Sequence, residues 1–350
     1  MYFRFTSNRG MRDYSVVHRP IHYLESSLVV MKSRKRSEMQ MYSFKNIIFS
    51  RKSFDSASGH GYSPFDSATG KYILIPIPIG KSEQSIANKT KYGDIEIKPN
   101  YLPGIHVSNL SDLIFHDSLR FSGMAKREIS NNFAHIDPWL GPCPWLTDKS
   151  NHPIGALGQV NAAQGHLAKN GVGVGSLFLF FSRFIPIKDR RNRIGVTINQ
   201  KKGAYFLYGW LKVGRVAKSF PDIRDKELEL RHPHATEAYF NIRKNNTIYI
   251  SDRFLSGESG IPGCGYFPRL SKKLLLTSVD HYETPTTWEL PGFFYELENR
   301  PTYLGKESRW QLEEGGEKCL VKIPARGQEF VFRHSNEFLA WFSQLLKDIS

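Results

Sequence analysis

Several short polar stretches carry residue types able to move protons or hold phosphate. Residues 134–138 read Ala-His-Ile-Asp-Pro, which sets His135 and Asp137 two positions apart. On extended chain both side chains share a face, the arrangement of a histidine–carboxylate couple for proton transfer. The competing reading is a turn before Pro138, with Asp137 bonded to its own backbone. Residues 231–235 read Arg-His-Pro-His-Ala and present Arg231, His232 and His234. Paired histidines suggest a metal, but a catalytic zinc takes three protein ligands. His135 or His166 with Asp137 would complete such a set only if the fold brought them together, and spacing alone does not establish that. The expectation is therefore no metal and no cofactor, with ordinary loop hydrogen bonding or phosphate contact by Arg231 instead, and with Arg231, His232 and His234 as nucleotide-binding candidates.

Three further groups are candidates. Ser-Arg-Lys-Ser-Phe-Asp-Ser (50–56) places Arg51 and Lys52 at the end of a strand as phosphate ligands, with Asp55 to orient them or act as a base. Ala-Ala-Gln-Gly-His-Leu (162–167) offers Gln164 for an adenine edge and His166 for a base or phosphate, against the simpler reading of a helix end. In Ala-Arg-Gly-Gln-Glu-Phe (325–330), Arg326 and Gln328 could clamp a nucleotide, and Glu329 is the best carboxylate for general-base work. Tyr205, Tyr208 and Trp210 suit a buried core better than a base cage, although Trp210 beside Gly209 is a candidate stacking residue.

These groups need elements to position them. Apolar runs predict strands over 42–50, 71–80, 246–255 and 327–333, the second confined to an edge by Pro76 and Pro78. "SLFLFFSRF" predicts a strand buried on both faces, and "GAYFLYGWLKVGRV" a strand bent at Gly209 and Gly214. Residues 155–171 predict a helix with Gly158, Ala162 and Gly165 along one bare face. "SNEFLAWFSQLLKDI" predicts an amphipathic helix capped by Ser335 or Asn336. Between these, "GVGVGS" (171–176) runs from helix to strand and holds no lysine. A Walker loop and a dinucleotide fingerprint both run from strand to helix, so both are rejected. The turn is expected to be a hinge whose Gly173 serves a positive φ.

Composition narrows the class. The 350-residue chain has 40% hydrophobic and 23% charged residues, within the range of globular proteins, a high 13% aromatic content and a net charge of +15 that attracts polyanions. Three cysteines without CxxC spacing argue against a cysteine metal site or a closed disulfide set and fit a reducing cytoplasm. No apolar run is long enough for a transmembrane helix. Residues 1–43 are basic and lack periodicity, and are expected to be a disordered leader or a start-site extension ahead of one domain over 44–350.

Two resemblances follow from these motifs. A glycine turn, a buried aromatic strand and a later glycine-bent strand resemble PUA-like barrels, which bind bases in aromatic clefts. That resemblance implies a mixed α+β fold with a PUA-like β-barrel core over about 171–255 and flanking helices. The ordered series "SRKSFDSASG", "ILIPIP", "AHIDP", "AAQGHL", "GVGVGSLFLFF", "YGWLKVG", "HPH", "NTIYIS", "IPGCGYFPRL", "TWELPGFF" and "ARGQEFV" resembles the bacterial family called nucleotide modification associated domain 3. Ser182-Arg183 stands where that family has Gly-Trp, so stacking on a base would fall to the Arg183 guanidinium. The resemblance implies recognition of a nucleotide or modified base in a bacterial or phage DNA-modification system. The alternative is an enzyme that forms, transfers or removes such a base by glycosidic or transferase chemistry. The implied partners are nucleic acid, DNA foremost, or free nucleotide, together with other base-modification proteins. The implied setting is cytoplasmic, without membrane.

The charge generates one expected outcome. If phosphate contacts dominate, the logarithm of nucleic-acid affinity falls linearly with the logarithm of salt concentration. A flat titration would remove phosphate from the interface.

Overall fold

The computed structural model describes residues 42–350 apart from 55–58, 118, 120, 148–153, 188–196, 200, 258–259, 282–283, 325–328, 348 and 350. All but the last residues of the expected leader fall outside this set. Along the chain the strands are β1 (Ile47–Arg51), β2 (Ser63–Phe65), β3 (Ile77–Pro78), β4 (Thr90–Lys91), β5 (Phe133–His135), β6 (Ala156–Gln159), β7 (Leu177–Pro186), β8 (Ala204–Ala217), β9 (Thr247–Ser251), β10 (Cys264–Tyr266), β11 (Thr287–Pro291), β12 (Trp310–Leu312), β13 (Lys318–Lys322) and β14 (Glu329–Phe332). The α-helices are α1 (Leu110–Phe115), α2 (Gly123–Asn131), α3 (Asn161–Lys169), α4 (Lys226–Arg231), α5 (Glu237–Ile242) and α6 (Asn336–Leu346). The fold is mixed α+β.

The main sheet runs β14-β1-β7-β8-β9-β6, with β2 added to β7 and β10 to β8. Its centre is the aromatic run of β7, buried on both faces and paired parallel to β1 and antiparallel to β8. A strand enclosed in this way reads as an unbroken apolar run. Two further sheets have three strands each, β3-β5-β4 and β11-β13-β12. The expected bend at Gly214 is a register shift in the β8–β9 ladder. The final helix also follows its pattern: the Ser335 hydroxyl accepts from the Phe338 N–H at 3.2 Å, and Phe338, Leu339, Phe342, Leu345 and Leu346 are buried.

Other expectations need correction. Among the described residues the main sheet does not close, so the strands of 171–255 do not form a PUA-like barrel on their own. A flat six-strand path would hold its outer strands about 24 Å apart. Here the Gln159 amide at the end of β6 donates to the Glu329 carboxylate at the start of β14. The path is therefore strongly curled, and α3 packs against β14 near the seam. Residues 155–171 are not one helix. Ala156–Gln159 pair with β9, and α3 begins only at Asn161. Gly158 serves a different purpose from the expected bare helix face, since a Cβ there would stand 2.4 Å from Cγ of His234. In 71–80 only Ile77 and Pro78 enter a strand ladder, because the prolines remove two donors.

The glycine turn is a helix stop and a hinge. The Gly171 N–H donates to Ala168 O, and the Val172 N–H reaches back to Leu167 O. That is the paired hydrogen bonding of a Schellman motif, with Gly171 at φ +68°. Gly175, at φ +83°, then donates to Val213 O and accepts from the Lys45 N–H, tying the turn to both neighbouring strands. Gly173 has an ordinary φ and open space around it, so the expectation placed on it is corrected in favour of Gly171 and Gly175. Gly171→Ala and Gly175→Ala are each expected to cost about 1–2 kcal/mol. Gly173→Ala should stay within about 0.5 kcal/mol of the parent. Denaturant unfolding of the three variants distinguishes these roles, and equal losses at 173 and 175 would contradict them.

Candidate functional site

β5 ends at His135, and the chain turns at once, with the Asp137 N–H donating to His135 O at 2.9 Å. The expected extended face is therefore replaced by a tight turn of the γ type. A cis Asp137–Pro138 bond follows. The turn carries the Asp137 side chain inward, where only 3% of it is exposed. Its Oδ1 accepts from the Gly158 N–H at 2.8 Å and from His232 Nε2 at 3.1 Å. The histidine–carboxylate hydrogen bond is thus between Asp137 and His232, not His135. Burial opposes the charge on Asp137, but the His232 hydrogen bond and the nearby His232 and Lys52 outweigh it. The carboxyl is held well below the usual carboxylate range.

His232 and His234 lie between two short capped helices. Asp225 caps α4 by accepting from the Leu228 N–H, and Thr236 caps α5 by accepting from the Tyr239 N–H. The loop is fastened from outside by Asn88, whose amide donates to Glu229 O and His232 O. His232 Nδ1 accepts the His234 N–H at 3.2 Å, so its proton sits on Nε2, facing Asp137. His234 has the opposite tautomer. Asn246 Nδ2 donates to His234 O, which turns its Oδ1 toward His234 Nδ1 at 3.0 Å. Nδ1 is therefore the donor, and Nε2 keeps a lone pair. The Tyr239 hydroxyl is 3.4 Å from that Nε2 and donates to Glu83 at 3.0 Å. Burial pushes both His234 and His135 below the ordinary imidazole range, partly offset by the Asp137 charge.

A second buried carboxylate sits nearby. Glu329 receives the Gln159 amide and faces Lys52 at 3.5 Å, with only 2% of its side chain exposed. Burial, aided by the Asp137 charge and opposed by Lys52 and Ser50, pushes its carboxyl up to about 7. Consecutive residues of β6, Gly158 and Gln159, thus hold one carboxylate each. The two sit in environments that separate their acidities, a pattern found where acid and base roles are divided.

A small cavity of about 50 Å³ is walled by Asp137, Ser53, Ile136, Trp145 and Tyr266 among others. It shares Ile136, Cys143, Leu146 and Tyr266 with a cleft of about 480 Å³ that adds Trp139, Asp94, Glu96 and Arg231. A volume of this size is typical of small-ligand sites.

The fold brings together His135, Asp137, His232 and His234, with Lys52 and Glu329 beside them. The other candidates lie elsewhere or are occupied. Arg51 lies over the Tyr205 ring at 5.6 Å, and Arg183 over the Tyr62 ring at 4.5 Å. Trp210 is buried and donates to Pro262 O, so it belongs to the core. Gln164 is also buried and accepts from the Tyr249 hydroxyl at 3.0 Å. His166 points away from it, bonded to Thr302 at 3.1 Å and stacked on Tyr303, since helix positions two apart do not share a face. Arg231 pairs with Glu227 at 2.9 Å at the edge of the cleft. Asp55, Arg326 and Gln328 lie outside the described residues. Sequence reasoning missed Gly158, Gln159 and Asn246, none of which carries a local signal for its partner.

A family model described as nucleotide modification associated domain 3 matches residues 46–333. No curated protein and no solved structure gives a significant match.

Glu329 generates a stability prediction. Its folded pKa lies above its unfolded value, so the folded state holds the proton more tightly. The associated stability is full at about pH 4 and is lost as pH rises through about 7. Glu329→Gln keeps an uncharged group and should flatten that decline, which is worth up to about 3 kcal/mol. Unfolding free energies from pH 4 to 8 test this, and parallel curves for parent and variant would refute it.

Proposed function

Because the chain belongs to the nucleotide modification associated domain 3 family, we propose that it works in a nucleotide-modification system as an enzyme acting on a base or nucleotide. One observation carries this reading. A buried, ionised Asp137, surrounded by three histidines, forms part of the wall of a cavity that adjoins a ligand-sized cleft. Burying a charge is costly, and a module that only recognises a base needs aromatic walls and hydrogen-bonding groups without such a centre. Trp139 and Tyr266 in the cleft supply aromatic walls, and Arg231 at its edge supplies a phosphate contact. The reaction forms, transfers or removes a modified base, with Asp137 and its histidines as the reacting polar groups. The net charge of +15 favours nucleic acid, DNA foremost, over a neutral metabolite. No helix of the described residues is long and apolar enough to cross a membrane, and the proposed setting is the cytoplasm.

The test is a mass-spectrometric comparison of nucleosides from DNA and RNA of cells expressing the parent chain or Asp137→Asn. The parent should change the nucleoside profile. Asp137→Asn should not, while remaining folded and still binding nucleic acid. An unchanged profile with the parent, together with unimpaired binding by the variant, would replace the enzyme with a reader of modified bases.

A further inference from the structure

We propose that His135, Asp137 and His234 bind one divalent first-row transition-metal ion. One ligand atom from each of these residues lies within 4.8 Å of the other two. They come from the end of β5, the turn after it and the loop between α4 and α5, so the fold, not local sequence, assembles the set. For bonds of about 2.0 Å in tetrahedral geometry, ligand atoms sit about 3.3 Å apart. The set therefore needs to contract by at most about 1.5 Å to close on an ion.

Three observations point to a ligand here, the last two read from the same hydrogen bonds. First, His135 is buried, and its Nδ1 has no hydrogen-bond partner among the described residues. An orphaned buried nitrogen is costly unless something occupies it. Second, the hydrogen bonds on the other two residues commit the atoms that a metal would not use. His234 gives Nδ1–H to Asn246 and keeps the Nε2 lone pair, because the Tyr239 hydroxyl 3.4 Å from Nε2 commits its hydrogen to Glu83, while both described side-chain contacts of Asp137 fall on Oδ1. Third, those partners form the outer shell expected of metal ligands. A ligating histidine donates its other N–H to an amide or carbonyl oxygen, and a ligating carboxylate is itself hydrogen-bonded. Asn246 and His232 fill these two roles. His232 is excluded as a ligand because both its nitrogens are engaged.

The donor set of two imidazoles and one carboxylate suits zinc or ferrous iron and is poor for calcium or magnesium, which prefer all-oxygen sites. Three protein ligands leave coordination positions open. Asp137 also walls the small cavity, so an open position there would make the site catalytic in type. Metal binding stands on this geometry alone. Only the use of the metal on a nucleotide rests on the function proposed above.

The test uses the full untagged chain, stripped with a chelator and titrated with Zn²⁺, Co²⁺ and, without oxygen, Fe²⁺. The expected result is one tightly bound equivalent and a rise in melting temperature with metal. Co²⁺ should give visible absorption bands of a nitrogen–oxygen site. His135→Ala, Asp137→Asn and His234→Gln should each weaken that equivalent at least tenfold, whereas His166→Ala, remote from the set, should bind as the parent does. Absence of a stoichiometric equivalent in the parent overturns the proposal, as does a site that survives both His135→Ala and His234→Gln. If a variant does not fold, the parent's stoichiometry, melting shift and Co²⁺ spectrum still decide. No nucleotide enters the assay, so its failure is separate from failure of the enzymatic reading.

Discussion

The charge of Asp137 is the constraint on which the site depends. A carboxylate with 3% exposure is tolerable only where it is hydrogen-bonded and faces positive charge. The protein meets this with a backbone N–H from β6, an imidazole N–H from His232 and the field of Lys52. Each provider is in turn held in place. Gly158 sits in the β6–β9 ladder, His232 is oriented by the His234 amide, and Lys52 is fixed by Glu329. Removing one partner would leave an uncompensated charge and disturb its neighbours, so the polar network behaves as a unit.

The end of β6 connects that unit to the architecture. Alternate residues of a strand face opposite ways, yet the main-chain N–H of Gly158 and the side chain of Gln159 serve two different carboxylates. The curl of the sheet makes this possible, because it carries β14 round toward β6. The lack of a Cβ at Gly158 lets the His234 ring lie against the strand. Ring approach, sheet curl and charge compensation therefore meet within two residues. The aromatic residues mostly fill the core, as expected of Tyr205, Tyr208 and Trp210: Phe49, Phe181, Trp288 and Phe330 pack edge to face around β1, β7 and β14.

What the sequence revealed follows the range of the interactions involved. β7, with its continuous apolar run, and α6, with its helical period and serine cap, are local patterns and were legible. His135 and Asp137 were legible as residue types at suggestive spacing, and so were His232 and His234. Their convergence was not, because ninety-five positions separate Asp137 from His232. The 155–171 segment misled because alanines and glycines satisfy a helix and a tightly packed strand equally well. The pairing with β9 decided it. Gly173 misled for a similar reason. Three glycines alternate in the turn, and only backbone torsion identifies which of its neighbours carry the left-handed conformation.

The order in which the chain supplies these groups has its own consequence. β1 pairs on one side with β7 and on the other with β14, so its two neighbours are about 130 and 280 residues away in sequence. Glu329, the partner of Lys52 and Gln159, leaves the ribosome about 190 residues after His135 and Asp137. A nascent chain that has already exposed His135 and Asp137 still lacks the strand whose Glu329 faces Lys52 and meets the end of β6. The polar network around Asp137 is therefore completed well after its own turn has been made, only when β14 has emerged and met β1 and the end of β6.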